Sequence, residues 1–346
     1  MSETNIKAVN RRIVLASRPK GEPRDENFRL ETLPVPVAGD GQAVMRTIYL
    51  SLDPYMRGRM SDAASYATPV QIGEVMTGRT VSEVVESKSP AVQVGDIVLC
   101  DAGWQEYTVA EGTKVQKLDP SGAPVSTALG VLGMPGLTAY TGLLNIGQPK
   151  PGETVVVAAA AGAVGAVVGQ LAKIWGCRAI GIAGGPEKCT YVHKELGFDA
   201  CLDHRGENLE AELKEACPKG IDIYFENVGG KVFEAVFPLL NSFSRIPVCG
   251  LISAYNATEL PEGPDQTPIL MRAILTKRLT FRGFIVSDYW SQYPEFYRDV
   301  SGWIRDGKLK YREDVAEGIE NTVSAFQGLL KGKNFGKMLV RMSGLR

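Results

Sequence analysis

Two histidines, His193 and His204, are all that 346 residues supply. A catalytic zinc takes its ligands from Cys, His and carboxylate side chains, and no cluster of these occurs along the chain. So little imidazole also leaves a serine triad little to draw on, and no G-x-S-x-G elbow is present. None of the twelve tyrosines is followed four residues later by lysine, which argues against short-chain dehydrogenase chemistry. The six cysteines, Cys100, Cys177, Cys189, Cys201, Cys217 and Cys249, include no C-x-x-C pair. A zinc ribbon and a dithiol redox motif are thereby excluded, and the thiols read as free in a reducing cytoplasm. The first twelve residues are polar and form no signal core. One-sided charge is missing as well. Lys and Arg total 38 against 39 acids, a net charge of -1, so no electrostatic footprint for nucleic acid or an anionic membrane exists. Only residues 154–172 form a long uncharged run. Ala161-Gly162-Ala163-Val164-Gly165 interrupts it, so strand, glycine turn and buried helix explain it better than a membrane span.

What is present is glycine, structural punctuation and a change of rhythm. The 38 glycines exceed the usual share of about 7% by more than half, a sign of tight turns or backbone-lined ligand sites. The length suits two domains, each large enough to bury its own core. Residues 12–16, 42–51, 80–86, 96–100, 104–109 and 113–117 are β-branched or aromatic runs separated by Gly and Pro clusters. They predict a compact, partly open barrel. From residue 151 strands alternate with helices. Strands are predicted at 154–160, 178–183, 200–203, 221–226, 244–248 and 279–284, with helices at 163–175, 186–196, 207–216, 231–239 and 267–275. This alternation gives a doubly wound parallel sheet, with ligands beyond the carboxyl ends of its strands. Helices at 293–306 and 322–330 and a strand at 337–341 close the chain.

The strongest local signal is Ala160-Ala161-Gly162-Ala163-Val164-Gly165, which follows an apolar strand and opens a helix. Gly162 lets backbone approach a pyrophosphate, Gly165 lets helix and strand pack closely, and the helix N-terminus faces the phosphates. Ala160 stands where the first glycine of such a fingerprint usually does. The other reading is a tight strand–helix turn without a ligand. The second strand ends in Gly184-Gly185, with no acid before Glu187, and Lys188 follows. An NAD site usually places a carboxylate there for the ribose 2′-hydroxyl. A lysine suits a 2′-phosphate instead, and so NADPH. The bland alternative for Lys188 is a solvated helix lysine.

Three stretches carry a family resemblance: residues 51–60 (Ser51 to Met60), residues 130–140 (Gly130 to Tyr140), and Tyr224-Phe225-Glu226-Asn227-Val228-Gly229-Gly230. Arg245 to Gly250, Tyr255-Asn256 and Lys331 to Lys337 add to it. On these the chain resembles the zinc-independent medium-chain dehydrogenases/reductases, in the branch of the prostaglandin/leukotriene reductases and alkenal double-bond reductases. Ile72-Gly73-Glu74 occupies the region where zinc-bearing relatives have Gly-His-Glu, without the histidine.

The resemblance implies an α/β chain with a GroES-like barrel domain over residues 1–134 on the substrate side. A Rossmann NADPH domain would follow over 135–300, and residues 301–346 would return to the barrel. It implies NADPH contacts at Gly162, Ala163, Val164, Gly165, Lys188, His204 and Asn227. Further contacts would fall on Cys249, Gly250, Leu251, Ile252, Ser253, Tyr255, Phe284, Ile285, Val286 and Asn334. His204 stands where animal relatives have a tyrosine beside the adenosine phosphate. Tyr255 matches the tyrosine placed over the substrate carbonyl, the expected catalytic group. Tyr55, Arg57, Met134 and Thr138 would line the substrate pocket, although a tyrosine in such a loop is often only exposed and Arg57 has Asp53 nearby to pair with. No metal is expected, and a homodimer in the cytoplasm is. The implied activity is NADPH-dependent reduction of a double bond conjugated to a ketone or aldehyde. A quinone reductase, or a cofactor-binding structural or stress protein with little turnover, would share the same fold.

Overall fold

The computed structural model describes residues 9–259 and 263–344. One compact unit runs to Leu129 and resumes over Asp314–Asn334 and from Met338 on; the other comprises Gly130–Glu313 and Phe335–Lys337.

In the first unit Gln42–Ser51 is the organising strand. It pairs along its length with Thr80–Ser87, while Tyr107–Glu111 takes its first half and Leu339 to Arg341 take its end. One strand serving three partners leaves little open edge, which is how short strands curl toward a barrel. The sheet continues outward through Ile97–Cys100 to Gln116–Lys117, with Glu313–Glu317 on the other flank. Trp104, fully buried, anchors the core, with Phe28 stacked at 5.6 Å and Phe326 edge-on at 5.3 Å.

That anchor corrects one expectation. The strand predicted at 104–109 is Tyr107–Glu111, because Trp104 spends its backbone on Ile13 and Met76 and its indole on the core. The strand predicted at 113–117 shrinks to Gln116–Lys117 behind a single 3₁₀ turn, Gly112–Lys114. Phe28–Pro34, a strand not expected, forms an antiparallel ribbon with Val9–Leu15. Its side chains are mostly exposed on both faces, so no alternation betrays it.

The second unit is a six-stranded parallel sheet. Its strands are β1 (Thr154–Ala158), β2 (Arg178–Ala183), β3 (Ala200–Asp203), β4 (Ile221–Phe225), β5 (Leu240–Val248) and β6 (Thr280–Gly283). They lie in the order β3-β2-β1-β4-β5-β6, so the winding reverses between β1 and β4. β1 reads Thr-Val-Val-Val-Ala and is buried throughout, as a central parallel strand with both faces covered must be. Helices α1 (Gly165–Ile174), α2 (Pro186–Lys194), α3 (Leu209–Ala216), α4 (Gly230–Val236) and α5 (Thr267–Lys277) make the connections. Among the described residues no helix is long and apolar enough to cross a membrane. The run 154–172 is instead β1, a turn and the buried start of α1.

Helix Met134–Thr141 and the π-helical turn Gly142–Gly147 were not legible, because three glycines look like punctuation there. They are packing contacts. A Cβ on Gly136 would lie 2.0 Å from the Val131 carbonyl oxygen, and one on Gly142 2.5 Å from the Phe284 ring.

Candidate active site

The glycine turn follows β1 directly. Ala159 adopts a left-handed conformation (φ 52°), which stops the strand short of the expected residue 160, and its carbonyl accepts the Gly162 N–H at 2.9 Å. α1 then starts against the strand it has just left: a Cβ on Gly165 would lie 2.4 Å from the Ala159 oxygen. Ala163 and Val164 lead into that helix, whose N-terminus stands at the carboxyl edge of the central strand. This is the geometry that receives phosphate. Gly165→Ala is therefore expected to cost about 1–3 kcal/mol, the usual range for overpacking. Chemical denaturation would check it; an unchanged midpoint would mean that the turn relaxes freely.

At the next strand end, Gly184 and Gly185 lead from β2 into α2, with Gly185 at φ 96° and Lys188 in the first helical turn. β3 delivers its own end to the same place. The Asp203 carboxylate accepts the Gly185 N–H at 2.8 Å and the Arg205 N–H at 3.0 Å. Burial opposes its ionisation, but these bonds hold its carboxyl below the ordinary range. A Cβ on Gly184 would lie 2.9 Å from His204 Nε2 and 3.1 Å from Arg205 Nε. Burial pushes the His204 imidazole down, and the charges of Arg205 and Lys188 push the same way. Lys188, His204 and Arg205 thus stand at the neighbouring ends of β2 and β3, beside the Gly184-Gly185 turn. Sequence reasoning missed Arg205. Its signal was the run Asp203-His204-Arg205 ending a strand adjacent to β2.

Beyond β4, Asn227 Nδ2 donates to the Ala158 carbonyl at 2.8 Å and ties the ends of β1 and β4 together. The loop after β5 folds back over this turn, with Ile252–Ala254 forming one 3₁₀ turn. Tyr255 ends the loop, and its hydroxyl lies 3.1 Å from where a Cβ on Gly250 would stand. Burial, reinforced by the Glu226 carboxylate, pushes the Cys249 thiol up to about 12 and keeps it protonated. Past β6, Phe284 packs edge-on against Phe225 at 6.3 Å, Ile285 follows, and Val286 opens a 3₁₀ turn. Residues expected at the cofactor from Gly162 to Val286 thus lie at the carboxyl ends of the six strands.

Other expected residues are placed differently. Met134 starts its helix, and Thr138 Oγ1 donates to the Met134 carbonyl at 2.8 Å. Tyr55, Arg57 and Asn334 belong to the barrel unit. Tyr55 precedes the helical turn Met56–Arg59, and burial beside Asp53 and Asp101 pushes its phenol well up. Arg57 is buried and donates to the Gly21 carbonyl at 2.9 Å. His193 holds the Phe198 carbonyl at 2.8 Å through Nδ1, a structural contact.

Comparison with known proteins fits this arrangement. Residues 11–118 match the family described as "N-terminal domain of oxidoreductase", and residues 163–302 match "Zinc-binding dehydrogenase". The chain is 58% identical to the NADPH-dependent curcumin reductase of Escherichia coli (strain K12), over 98% of both chains. The chain belongs to the medium-chain dehydrogenase/reductase family. Within that family it is also 41% identical to the NADP(+)-dependent 2-alkenal reductase of Nicotiana tabacum, over 96% of this chain and 98% of that one. The crystal structure of CurA from Vibrio vulnificus in complex with NADPH superposes with a TM-score of 0.94 at 55% identity. That superposition covers 96% of this chain and 99% of the other. The fold is therefore that of the family: a GroES-like N-terminal domain and a Rossmann-like parallel sheet.

Two implied groups can be set against the side chains. A dinucleotide fits, since Gly162 brings bare backbone up to a helix N-terminus after β1, and Lys188, His204 and Arg205 stand at the neighbouring ends of β2 and β3. Zinc does not fit. Among the described residues no three His, Cys, Asp or Glu side chains are placed to hold a metal, and Ile72-Gly73-Glu74 offers a single carboxylate.

Proposed function

We propose that this chain is a zinc-independent, NADPH-dependent reductase of carbon–carbon double bonds conjugated to a ketone or aldehyde, curcumin-like enones among them. The observation that carries this reading is the 58% identity with a curcumin reductase across 98% of both chains. When bound, NADPH supplies the hydride. Lys188, Arg205 and His204 hold its 2′-phosphate, and the turn Gly162–Gly165 with the start of α1 holds its pyrophosphate. The loop from Cys249 to Tyr255, Asn227 and Phe284 to Val286 complete the cofactor site on the sheet.

Met134 and Thr138 shape the substrate side, and Tyr255 is the catalytic residue. As hydride reaches the β-carbon, negative charge builds on the carbonyl oxygen. The Tyr255 hydroxyl donates to that oxygen, a bond that strengthens with the charge and so lowers the barrier. Solvent then protonates the α-carbon. Incubation with NADPH and a panel of enones and quinones tests the reading. Saturated ketones are expected; hydroquinones alone would indicate a quinone reductase, and no product a binding protein.

Activity is expected to survive exhaustive chelation, with no stoichiometric zinc by elemental analysis. A loss that added zinc restores would contradict the assignment.

Two copies of the chain form the working unit, joined through the cofactor sheet. β6 is an edge strand, and α5 before it exposes Ile269, Met271 and Leu275 at 57%, 58% and 77%. Unpaired edges and exposed apolar side chains of this kind are covered in stable proteins. Sedimentation is expected to show a dimer, and a monomer at micromolar concentration would refute it. Six free thiols suit a reducing cytoplasm as its location.

A further inference from the structure

Glu226 is buried to 2% exposure just past the end of β4, and nothing in the reaction as described uses it. A buried carboxylate is costly unless its oxygens are hydrogen-bonded. Here one oxygen, Oε1, accepts three donors: the Val228 N–H at 2.7 Å, the Gly229 N–H at 2.8 Å and the Tyr224 hydroxyl at 2.9 Å. These bonds wrap the turn Glu226–Gly229 around its own side chain. Glycine makes so tight a turn possible: Gly229 is left-handed (φ 75°) and Gly230 follows at φ 53°.

The wrapped turn then serves as a template for the loop after β5. The Glu226 carbonyl accepts the N–H groups of Cys249 at 2.9 Å and Gly250 at 3.1 Å. The Asn227 carbonyl accepts the Ile252 N–H at 3.2 Å, and the Val228 carbonyl accepts the Ser253 N–H at 3.0 Å. Three successive carbonyls of the turn thus hold four N–H groups of the loop. Contact is also close in the other direction: a Cβ on Gly229 would lie 3.2 Å from Leu251 Cδ2 and 3.3 Å from Ser253 Oγ. The loop ends two residues later at Tyr255, with its hydroxyl over Gly250.

We infer that Glu226 is the positioning residue for Tyr255: its carboxylate sets the turn whose carbonyls set the loop that carries the phenol. The inference rests on the reading of Tyr255 as the donor to the substrate oxygen. Glu226 is itself buried, with Oε1 taken up by these three donors. Its effect is on placement, and a displacement of about 1 Å at a reacting group can cost about 10²-fold in rate.

A double-mutant cycle in the full-length protein, with an enone under saturating NADPH, separates this role from general support of the fold. Glu226→Ala is expected to lower kcat by roughly tenfold to 10²-fold. In the Tyr255→Phe background the same change should cost no more than about twofold, because the group it positions is already gone. Glu226→Gln keeps an oxygen at the Oε1 position and should restore most of the loss. If Glu226→Ala yields no folded protein, Glu226→Asp runs the same cycle, with the carboxylate withdrawn by one methylene. Equal losses in both backgrounds would overturn the inference while leaving Tyr255 as the donor. A silent Tyr255→Phe would overturn both.

Discussion

Tyr255→Phe is expected to lower kcat on a conjugated enone by roughly tenfold or more, with NADPH affinity little changed. Removing one donor aimed at a developing oxyanion typically costs about 10²–10³ in turnover, and a second donor on the cofactor ribose would reduce that figure. The loop geometry favours a clean experiment. Four backbone N–H groups anchor the loop to the turn after β4 independently of the phenol, so the ring stays in place when its hydroxyl is removed. Phenylalanine keeps the aromatic body and its packing. Single-turnover rates, where product release does not intrude, are the right measurement. A variant that reduces enones at the parent rate there would make Tyr255 a pocket wall and shift the donor to the ribose.

The second large effect concerns the choice of cofactor. Lys188→Ala is expected to raise KM for NADPH while leaving that for NADH nearly unchanged. A hydrogen bond to a charged group contributes about 1.5–3 kcal/mol, or roughly 10- to 150-fold. The neighbouring charge of Arg205 places the result toward the lower end, since Arg205 faces the same glycine pair and remains in the variant. Arg205→Ala should therefore add to the loss. Parallel steady-state runs with the two cofactors check the expectation. Equal increases in both KM values would mean that Lys188 supports α2 and does not read the phosphate.

The elements that frame the proposed cofactor site were legible because their signals are local. A β-branched run, a glycine turn and a helix follow one another directly at β1 and α1, and composition and glycine spacing mark them. Arg205 and Asp203 were harder to find, since they come from β3 and meet the Gly184-Gly185 turn only through strand order. The absence of a carboxylate after β2 was correctly read, yet a carboxylate does stand nearby, spent on the backbone of the turn. Glu226 was quoted as part of a motif, but its role lies in hydrogen bonds that no spacing encodes. In the barrel unit, Trp104 and Phe28–Pro34 defeated pattern reading for opposite reasons. Trp104 is a core anchor on irregular backbone, and Phe28–Pro34 is a strand mostly exposed on both faces past Phe28.

The central claim is hydride delivery to the carbon β to a carbonyl, and one isotope experiment tests it directly. The protein is incubated with an enone and NADPH deuterated at the transferring position, and the product is examined by NMR and mass spectrometry. The account requires a saturated ketone carrying a single deuterium on the β-carbon. An allylic alcohol with deuterium on the former carbonyl carbon, or unchanged enone beside a reduced quinone control, would contradict it.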